Sequence, residues 1–483
     1  MLDKLLPDRF DLNKTAVISP LKSFTFRDLS EKITVIQQRL PQKEGELIAI
    51  YLPNGFDYIA AFWSISLLGM VIVPLNVQMT EHEIYPLLEE LGAHTVITSR
   101  QYCTVFENLI KPELTVIFVE QLYDSNDSQP SAKPRNPDEL MLLLSTSGTT
   151  GNSKIVQLSQ SNIETSVLGY LSKMLYEDEK GDIRLVLATP LSTSYGVMIL
   201  AAFMICGFTL VLLPDGFTLA TLYKAIEVHG VTHYEGGALT IQLMNQMAKR
   251  QNPYNISSLK YMCFGGSGLS PREIQYFQAN YPQIALCQGY GMSEAAPLIS
   301  KHQLPDLKKP ESSGTAINGV EIAVEADGII TKKPNTKGEI VVRGANVMLG
   351  YYNNKKETAK VIKNGYLYSG DIGYVDEEGY LYICGRSKNI IIVRGFNVHP
   401  EEIEGCLLDS KLVIDCVVYG ETDKLGNEIV CAKAVPIDDE VTIEMLSVYC
   451  TAHLAEHKRP RKIMFCDSVK KNAAGKTERI RGA

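Results

Sequence analysis

Segments with the periodicity of strands and helices alternate along most of the chain. Short apolar runs at 47–52, 71–75 and 95–98 alternate with helix-like segments at 56–68 and 81–91, and the alternation continues through a predicted helix at 198–206. Parallel strands need long crossover connections, which helices commonly supply. The pattern therefore predicts an α/β fold with parallel sheets covered by helices.

The length of the chain and a change in its pattern indicate more than one folding unit. With 483 residues, 45% hydrophobic and 21% charged, the chain has a globular composition but exceeds the size at which single cores stop growing, about 250 to 300 residues. From Gly314 onward, helical segments give way to short strands separated by many glycines. This change predicts a small β-rich subdomain after the large α/β part.

Charge and cysteine usage exclude several classes of protein. The formal net charge of −8 disfavours a nucleic-acid partner, because binding to phosphate backbones depends on clustered Lys and Arg. The ten cysteines form no Cys-x-x-Cys pair and no cluster with histidine at metal-ligand spacing. They are interpreted as reduced thiols, and we expect a cytoplasmic protein.

Two further patterns are interpreted as structural. His229 and His233 are four residues apart, but Gly230 and two β-branched residues separate them, so we expect a helix end followed by a strand rather than a metal site. The apolar windows 59–75 and 185–213 are interrupted by glycine, proline or polar residues, and the N-terminus has no apolar core of signal-peptide length. We therefore expect no membrane span.

A loop rich in glycine and hydroxyl groups follows the apolar run 140–144. The segment 145–154 reads Ser-Thr-Ser-Gly-Thr-Thr-Gly-Asn-Ser-Lys, and its two glycines allow backbone N–H groups to converge on phosphate oxygens. Its hydroxyl groups and its lysine are further ligands for an anion. Two residues rather than four separate the glycines, which argues against a Walker P-loop. Without further context, such a loop can equally be an ordinary surface connection.

Two other glycine-containing segments follow predicted strands. The segment 263–268, Cys-Phe-Gly-Gly-Ser-Gly, lets a flat ligand pack against the backbone, or else forms a tight turn. In the segment 288–294, Tyr290 can stack on a purine ring, Ser293 can bond a phosphate, and Glu294 offers the hard oxygen ligand that Mg²⁺ prefers.

A carboxylate and a basic tail complete the candidate residues. Asp371 follows a glycine, where a carboxylate can accept hydrogen bonds from two ribose hydroxyl groups, although an aspartate there is often only a turn residue. Lys476 lies in a basic C-terminal segment and, without further context, is one cation among several.

Six separated motifs together resemble one superfamily. The chain resembles the ANL superfamily of AMP-forming adenylating enzymes, which comprises acyl-CoA synthetases, peptide-synthetase adenylation domains and luciferase. The motifs that carry this resemblance occur in the order and approximate spacing of the superfamily, at 145–154, 289–294, 368–371, 385–388, 394–404 and 475–476. The segment 395–404 most resembles fatty acyl-CoA ligases, which favours CoA as the acceptor.

The resemblance implies an activity and a set of functional residues. It implies that ATP activates a carboxylic acid to an acyl-adenylate and that a thiol, CoA or phosphopantetheine, then takes the acyl group. The catalytic residues it implies are Lys476, Glu294 and Ser293, with Mg²⁺ bound to Glu294. The residues implied to bind the nucleotide and cofactors are Ser147, Gly148, Thr149, Thr150, Gly151, Lys154, Gly265, Gly266, Ser267, Tyr290, Gly291, Asp371, Arg386 and Gly395. The residues implied to line the acid pocket are Thr193, Ser194, Tyr195, Gly196 and Gly289.

The resemblance also implies a domain boundary. It predicts an N-terminal adenylating domain at 1–386 and a mobile C-terminal α/β domain at 387–483, with Lys388 as the hinge. Rotation about this hinge would withdraw Lys476 after adenylate formation and bring Gly395 to the thiol-transfer site.

The acid and its acceptor are less strongly determined by the resemblance. The segment 189–196 lacks the aspartate that holds the ammonium group in amino-acid-activating members, so a fatty or other simple acyl acid is favoured. The same segment also lacks the aromatic-His pair of many acyl-CoA synthetases. Two alternatives stay open: a freestanding enzyme that loads an acyl or aminoacyl group onto a carrier protein, and an inert nucleotide-binding descendant.

Overall fold

The computed structural model describes most of the chain, in ranges separated by short gaps. The described residues are 10–41, 43–107, 114–122, 131–133, 135–146, 154–174, 182–213, 218–249, 252–266, 268–304, 308–386, 389, 391–393, 396–422, 428–454 and 456–471.

Strands and helices alternate through the first three hundred residues. The strands in the described residues are β1 (Thr15–Ile18), β2 (Ser23–Thr25), β3 (Leu47–Tyr51), β4 (Val71–Pro74), β5 (Thr95–Thr98), β6 (Thr115–Phe118), β7 (Leu140–Thr146), β8 (Lys154–Ser159), β9 (Arg184–Leu187), β10 (Thr209–Val211), β11 (His233–Gly237), β12 (Tyr261–Gly265), β13 (Ala285–Gly291), β14 (Leu298–Lys301), β15 (Thr315–Ala316), β16 (Val320–Ala326), β17 (Ile329–Thr331), β18 (Gly338–Gly344), β19 (Gly350–Tyr351), β20 (Ile362–Lys363), β21 (Tyr366–Val375), β22 (Leu381–Arg386), β23 (Ile391–Val393), β24 (Phe396–Val398), β25 (Val413–Thr422), β26 (Glu428–Pro436) and β27 (Lys462–Phe465). The helices are α1 (Phe26–Gln37), α2 (Phe56–Leu67), α3 (Glu81–Leu91), α4 (Thr104–Glu107), α5 (Gln160–Met174), α6 (Ser194–Cys206), α7 (Leu219–His229), α8 (Ala238–Met247), α9 (Pro271–Asn280), α10 (Lys355–Val361), α11 (Pro400–Asp409) and α12 (Ile443–His453).

Two large sheets form the body of the molecule. The first has nine strands in the order β15-β14-β13-β12-β11-β9-β10-β1-β2, and the second has seven in the order β19-β8-β7-β4-β3-β5-β6. The central strands of both sheets are parallel, and antiparallel strands extend their ends: β2, β14 and β15 in the first sheet, β8 and β19 in the second. The prediction of parallel helix-covered sheets is confirmed, and the antiparallel ends are an addition to it.

The main core lies between the two sheets and includes helices α1, α2, α5 and α6. Strand β3 shows how the sequence produces this layering: Ile48 and Ile50 face the main core, while Ala49 and Tyr51 face the core under α3. Side chains alternate between the two faces of a strand, so a strand with helices on both sides is apolar throughout.

Helix α6 begins earlier than the sequence predicts. The predicted helix at 198–206 starts instead at Ser194, because the Thr193 side chain accepts the backbone N–H of Gly196 at 3.0 Å and so caps the helix. Helix α8, on the nine-stranded sheet, was not predicted. His229 and His233 lie at a helix end and a strand start, as expected: α7 ends at His229 and β11 begins at His233.

Two smaller units follow the large sheets. Strands β16, β17, β18, β20, β21 and β22 form a six-stranded sheet, which is the predicted β-rich subdomain. Strands β25, β26 and β27 form a three-stranded sheet that shares a separate core with α11 and α12. A small C-terminal α/β unit is therefore confirmed. Among the residues described, no helix combines the length and apolar character needed to cross a membrane.

Candidate active site

Three parallel strands bring separated glycines to one edge of the nine-stranded sheet. Gly237 in β11 lies opposite Gly265 in β12, and an added Cβ at Gly265 would come within 3.1 Å of the Gly289 carbonyl oxygen on β13. The carboxyl ends of parallel strands are the usual position of ligand crevices in α/β proteins. The sequence motifs at 263–268 and 288–294 thus meet at one edge, which has little side-chain bulk.

Glu294 and Lys154 both contact one tyrosine. The Tyr351 hydroxyl donates to Oε1 of Glu294 at 2.8 Å, and Nζ of Lys154 lies 4.8 Å from the centre of the Tyr351 ring. Strand β19 pairs with β8, and this pairing brings Tyr351 beside the strand that begins at Lys154. Two predicted residues 140 positions apart, Lys154 and Glu294, therefore share a contact residue that sequence reasoning did not identify.

Lys154 also has a direct acidic partner. Its Nζ lies 2.7 Å from Oε2 of Glu357 in helix α10. The ammonium of Lys154, followed by that of Lys360, lowers the pKa of Glu357 to about 2. Glu357 is thus a carboxylate that holds the lysine of the predicted phosphate loop in this conformation.

Asp371 is held by both of its carboxylate oxygens. The Tyr290 hydroxyl donates to Oδ2 at 2.7 Å, and Nε of Arg386 lies 3.0 Å from Oδ1. Strands β21 and β22 place Asp371 and Arg386 directly opposite one another. Asp371 is only 6% exposed, so this carboxylate is fixed by its neighbours before any ligand binds.

The two tyrosines of the site stay protonated donors. Burial first, and then the Asp371 carboxylate, raise the pKa of Tyr290 well above its ordinary value. Burial and Glu294 raise the pKa of Tyr351 in the same way. Each phenol therefore donates a hydrogen bond to its carboxylate at any physiological pH.

The predicted acid-pocket segment reaches the Glu294 turn. Ser194 Oγ lies 3.1 Å from Ser293 Oγ, and the Tyr195 hydroxyl donates to Oε2 of Glu235. A Cβ added to Gly196 would lie 2.5 Å from the Pro190 carbonyl oxygen, so only glycine fits where α6 begins.

Three buried residues near the acid-pocket segment were also not identified from the sequence. Glu235 is fully buried in β11, Tyr170 donates to its Oε1 at 2.6 Å, and Lys301 lies with Nζ 5.2 Å from the Tyr170 ring centre. Burial lowers the pKa of Lys301, but Cys263, Cys287 and Glu235 outweigh burial, so its pKa lies above the ordinary value. The sequence signal for Glu235 was an acidic residue inside a predicted strand, because charged residues are rarely buried without partners.

The donor set fits a nucleotide and a magnesium ion. Across the described ranges, no cluster of three or more His, Cys, Asp or Glu side chains can hold a metal. A magnesium ion here would therefore take Glu294 together with phosphate oxygens and waters, which is its usual manner of binding beside a nucleotide. Open space beside Gly266, where an added Cβ meets no atom within 4 Å, suits a flat ligand.

Several predicted residues fall outside the described ranges. These are Ser147, Gly148, Thr149, Thr150, Gly151, Ser267, Lys388, Gly395 and Lys476. Their predicted roles stay predictions. The residues that the structure does bring together are Lys154, Glu294, Ser293, Tyr290, Asp371, Arg386 and the acid-pocket segment.

Two family models match the chain. The model for AMP-binding enzymes matches residues 7–352, and the model for the C-terminal domain of AMP-binding enzymes matches residues 402–476.

Named relatives match over nearly the whole length. The 2-succinylbenzoate–CoA ligase of Bacillus cereus is 30% identical, with 98% of this chain and 95% of the relative covered. The long-chain-fatty-acid–CoA ligase of Bacillus subtilis is 29% identical, with 97% and 91% covered.

Solved structures of one similar enzyme show the same fold. The o-succinylbenzoate CoA synthetase of Bacillus subtilis, in complex with its acyl-adenylate intermediate, matches with a TM-score of 0.85 and 27% identity, covering 99% of this chain and 98% of that one. The same synthetase in complex with ATP and magnesium matches with a TM-score of 0.83 and 27% identity, covering 98% and 97%.

Proposed function

Because this chain belongs to the family of AMP-binding enzymes and is an AMP-forming acid–CoA ligase, we propose that its acid is compact, of the 2-succinylbenzoate class, rather than a long-chain fatty acid. The enzyme uses ATP, magnesium and CoA. Two of its relatives act on acids of very different length, and their identities to this chain differ by only one percentage point. The choice of acid therefore needs a structural argument.

The observation that supports this choice is a cluster of buried charged residues beneath the glycines at the edge of the nine-stranded sheet. Glu235 and Lys301 are 0% and 2% exposed, and Tyr170 and Tyr195 bond to the carboxylate of Glu235. An alkyl chain that extended into this region would have to displace hydrogen-bonded charged groups, which costs several kcal/mol per group. The cluster supports an acid that ends before it.

We assign the first half-reaction to residues of the candidate active site. Asp371, with Tyr290 and Arg386, would hold the ribose, since a fixed carboxylate accepts hydrogen bonds from both hydroxyl groups. A carboxylate oxygen of the acid attacks the α-phosphorus of ATP, and the bond to pyrophosphate breaks. Magnesium held by Glu294 would supply charge neutralisation at the phosphates.

Two lysines are assigned to opposite sides of the reacting phosphorus. Lys154 would leave Glu357 and bind the departing pyrophosphate, and Lys476 would bind the acid and the α-phosphate during attack. In the second half-reaction the CoA sulfur attacks the acyl carbonyl carbon, AMP departs with the bonding electrons, and the thiol proton goes to solvent.

We propose the domain boundary at residues 386/387. The match to the AMP-binding model ends at 352, the match to the C-terminal model begins at 402, and the last strands have a core of their own. Rotation of 387–483 about Lys388 would exchange Lys476 for the loop at Gly395 between the two half-reactions.

All ten cysteines are free thiols, which supports a cytoplasmic location.

The test is ATP–pyrophosphate exchange with a panel of acids, followed by addition of CoA. We expect exchange with 2-succinylbenzoate and related aryl acids, weak exchange with decanoate, and thioester formation with CoA. Preference for decanoate would overturn the proposed acid class. Transfer only to a phosphopantetheinylated carrier protein would overturn CoA as acceptor, and nucleotide binding without any exchange would point to an inert descendant.

A further inference from the structure

The strands at the site present two successive layers on one face. Cys263 and Cys287 pack in the main core beneath α5 and α6, whereas their neighbours Met262 and Leu286 pack in the core on the other side. Residues two positions apart in a strand point to the same face. The layer toward the carboxyl ends therefore consists of Gly237, Gly265 and Gly289, and the layer beneath consists of Glu235, Cys263 and Cys287.

The upper layer leaves room beside Gly237, whereas an added Cβ would lie 3.1 Å from the nearest atom at Gly265 and 3.4 Å at Gly289. A Cβ added to Gly237 would meet no atom within 4 Å, and the residue has an extended φ of −96°. By contrast, Glu235, Cys263 and Cys287 are each 0% exposed. The space available to an acid thus lies beside Gly237 and ends at the buried layer of Glu235, Cys263 and Cys287.

Tyr195 stands at the boundary between these layers. It follows Ser194, which contacts the Ser293 turn of the catalytic site, and its half-buried ring extends inward to place its hydroxyl on Glu235. Tyr195 therefore connects the segment that contacts Ser293 to the buried Glu235.

The bond to Glu235 fixes the position of this ring. Turning Tyr195 away would remove one of the two tyrosine hydroxyl donors of a fully buried carboxylate, since Tyr170 supplies the other. A buried acceptor left unsatisfied costs its full desolvation, so the ring is held in place. Glu235 acts here as a positioning residue, through Tyr195.

We infer that Tyr195, held by Glu235, closes the inner end of the acyl pocket and that the open face of Gly237 forms its wall, so that these residues limit the length of the acid. This inference rests on the proposed function and names the residues that set its substrate class.

The first test enlarges the pocket. Tyr195→Ala removes the ring, and we expect kcat/KM for octanoate in ATP–pyrophosphate exchange to rise about tenfold relative to wild type, the usual order for a change of pocket fit. Tyr195→Phe keeps the ring and removes only its hydroxyl bond to Glu235, so we expect a smaller gain that measures what this bond contributes to the length limit. An equal gain in both variants, or in neither, overturns the inference.

The second test fills the pocket and remains informative if Tyr195→Ala does not fold. Gly237→Ala adds one methyl group where nothing obstructs it, and we expect kcat/KM for the preferred acid to fall about tenfold or more with the KM for ATP unchanged. Gly405→Ala, also unobstructed but in α11 outside the site, is the control and should leave both values unchanged. No effect of Gly237→Ala on any acid overturns the inference.

The wild-type panel separates the two levels of the proposal. A wild-type preference for decanoate over all compact acids means that the proposed acid class is wrong. A wild-type preference for compact acids, combined with unchanged profiles in the Tyr195→Ala and Gly237→Ala variants, overturns only the assignment of the length limit to these residues.

Discussion

The Tyr351 hydroxyl donates a hydrogen bond to Glu294 across 2.8 Å, from a strand that lies 57 positions further along the chain. This contact fixes one oxygen of the carboxylate proposed to bind magnesium and leaves the other for the ion. Outer partners that orient metal ligands typically account for 10- to 100-fold in metal affinity or activity.

We expect Tyr351→Phe to weaken the response to magnesium. Loss of the donor leaves Glu294 free to rotate, so the magnesium concentration for half-maximal exchange should rise about tenfold or more. Tyr352→Phe, at the neighbouring position, is the control and should behave as wild type. A magnesium titration of ATP–pyrophosphate exchange measures both, and identical curves for the two variants would remove Tyr351 from the site.

Tyr290→Phe tests the fixed carboxylate of Asp371. The change leaves Oδ2 of a buried carboxylate without its 2.7 Å donor, a loss of about 1 to 3 kcal/mol. We expect the KM for ATP to rise and the unfolding free energy to fall, measured by exchange kinetics and denaturant titration. Tyr374→Phe is the control, because Tyr374 lies on β21, the strand of Asp371. An unchanged KM for ATP would argue against Asp371 as the ribose ligand.

Glu357→Gln should tighten the binding of ATP. In this structure Glu357 forms an ion pair with Lys154, so it would compete with a phosphate for that lysine. Both charges are partly exposed, so removing Glu357 should lower the KM for ATP by up to about fivefold. The effect should shrink at high ionic strength, because salt screens the pair. Glu321→Gln, which removes a comparable surface carboxylate paired with Arg343, is the control. A raised KM would show that Glu357 assists the nucleotide instead.

Because His302 is buried with a lowered pKa, we expect the folded protein to lose stability in acid. Burial first, and then Lys301, lower its pKa from 6.5 to about 4, and its Nδ1 accepts the Gln288 backbone N–H at 3.1 Å. A depressed pKa means that the unfolded state binds the proton first, so stability is complete above pH 6.5 and falls as the pH drops toward 4. The expected loss is on the order of 3 kcal/mol.

His302→Gln isolates this effect. Other titrating groups, including the buried His233, are present in both proteins and cancel in the difference. Urea titrations at pH 7 and pH 4.5 should therefore show a smaller decrease in unfolding free energy for the variant. Equal decreases would mean that His302 does not carry the acid sensitivity.

Lys476→Ala should separate the two half-reactions. Adenylate formation should collapse, because no cation then balances the charge that develops on the acid and the α-phosphate, while CoA transfer from a supplied acyl-adenylate should survive. Exchange and single-turnover thioester assays measure the two steps. Equal loss of both would refute the role assigned to Lys476.

The sequence predicted elements and motifs well where the signal is local. The strands at 71–75 and 95–98 and the helix at 81–91 agree with β4, β5 and α3 to within one residue, because apolar periodicity is a property of neighbouring residues. The early start of α6 was missed, since a cap at Thr193 depends on one side-chain contact rather than on periodicity.

In the candidate site, too, the residues with a local sequence signal were predicted and the contacts between distant residues were not. Glu294, Asp371 and Lys154 were identified from short motifs, and Tyr290 and Arg386 lie beside Asp371. The contacts that orient them were not identified. Tyr351 and Glu357 lie far from their partners in the chain, and no periodicity links such pairs.

The sequence by itself determined the α/β class, the order of the motifs and the chemical character of each loop, because glycine freedom, strand alternation and side-chain charge act over a few residues. Only the tertiary structure decided that Tyr195 meets Glu235 beneath a layer of glycines and that Tyr351 joins Lys154 to Glu294. Those encounters depend on strand register and on the packing of α5 and α6 against the sheet. Such distant pairings are set by the whole fold, in which a shift of one residue would turn these side chains to the opposite face.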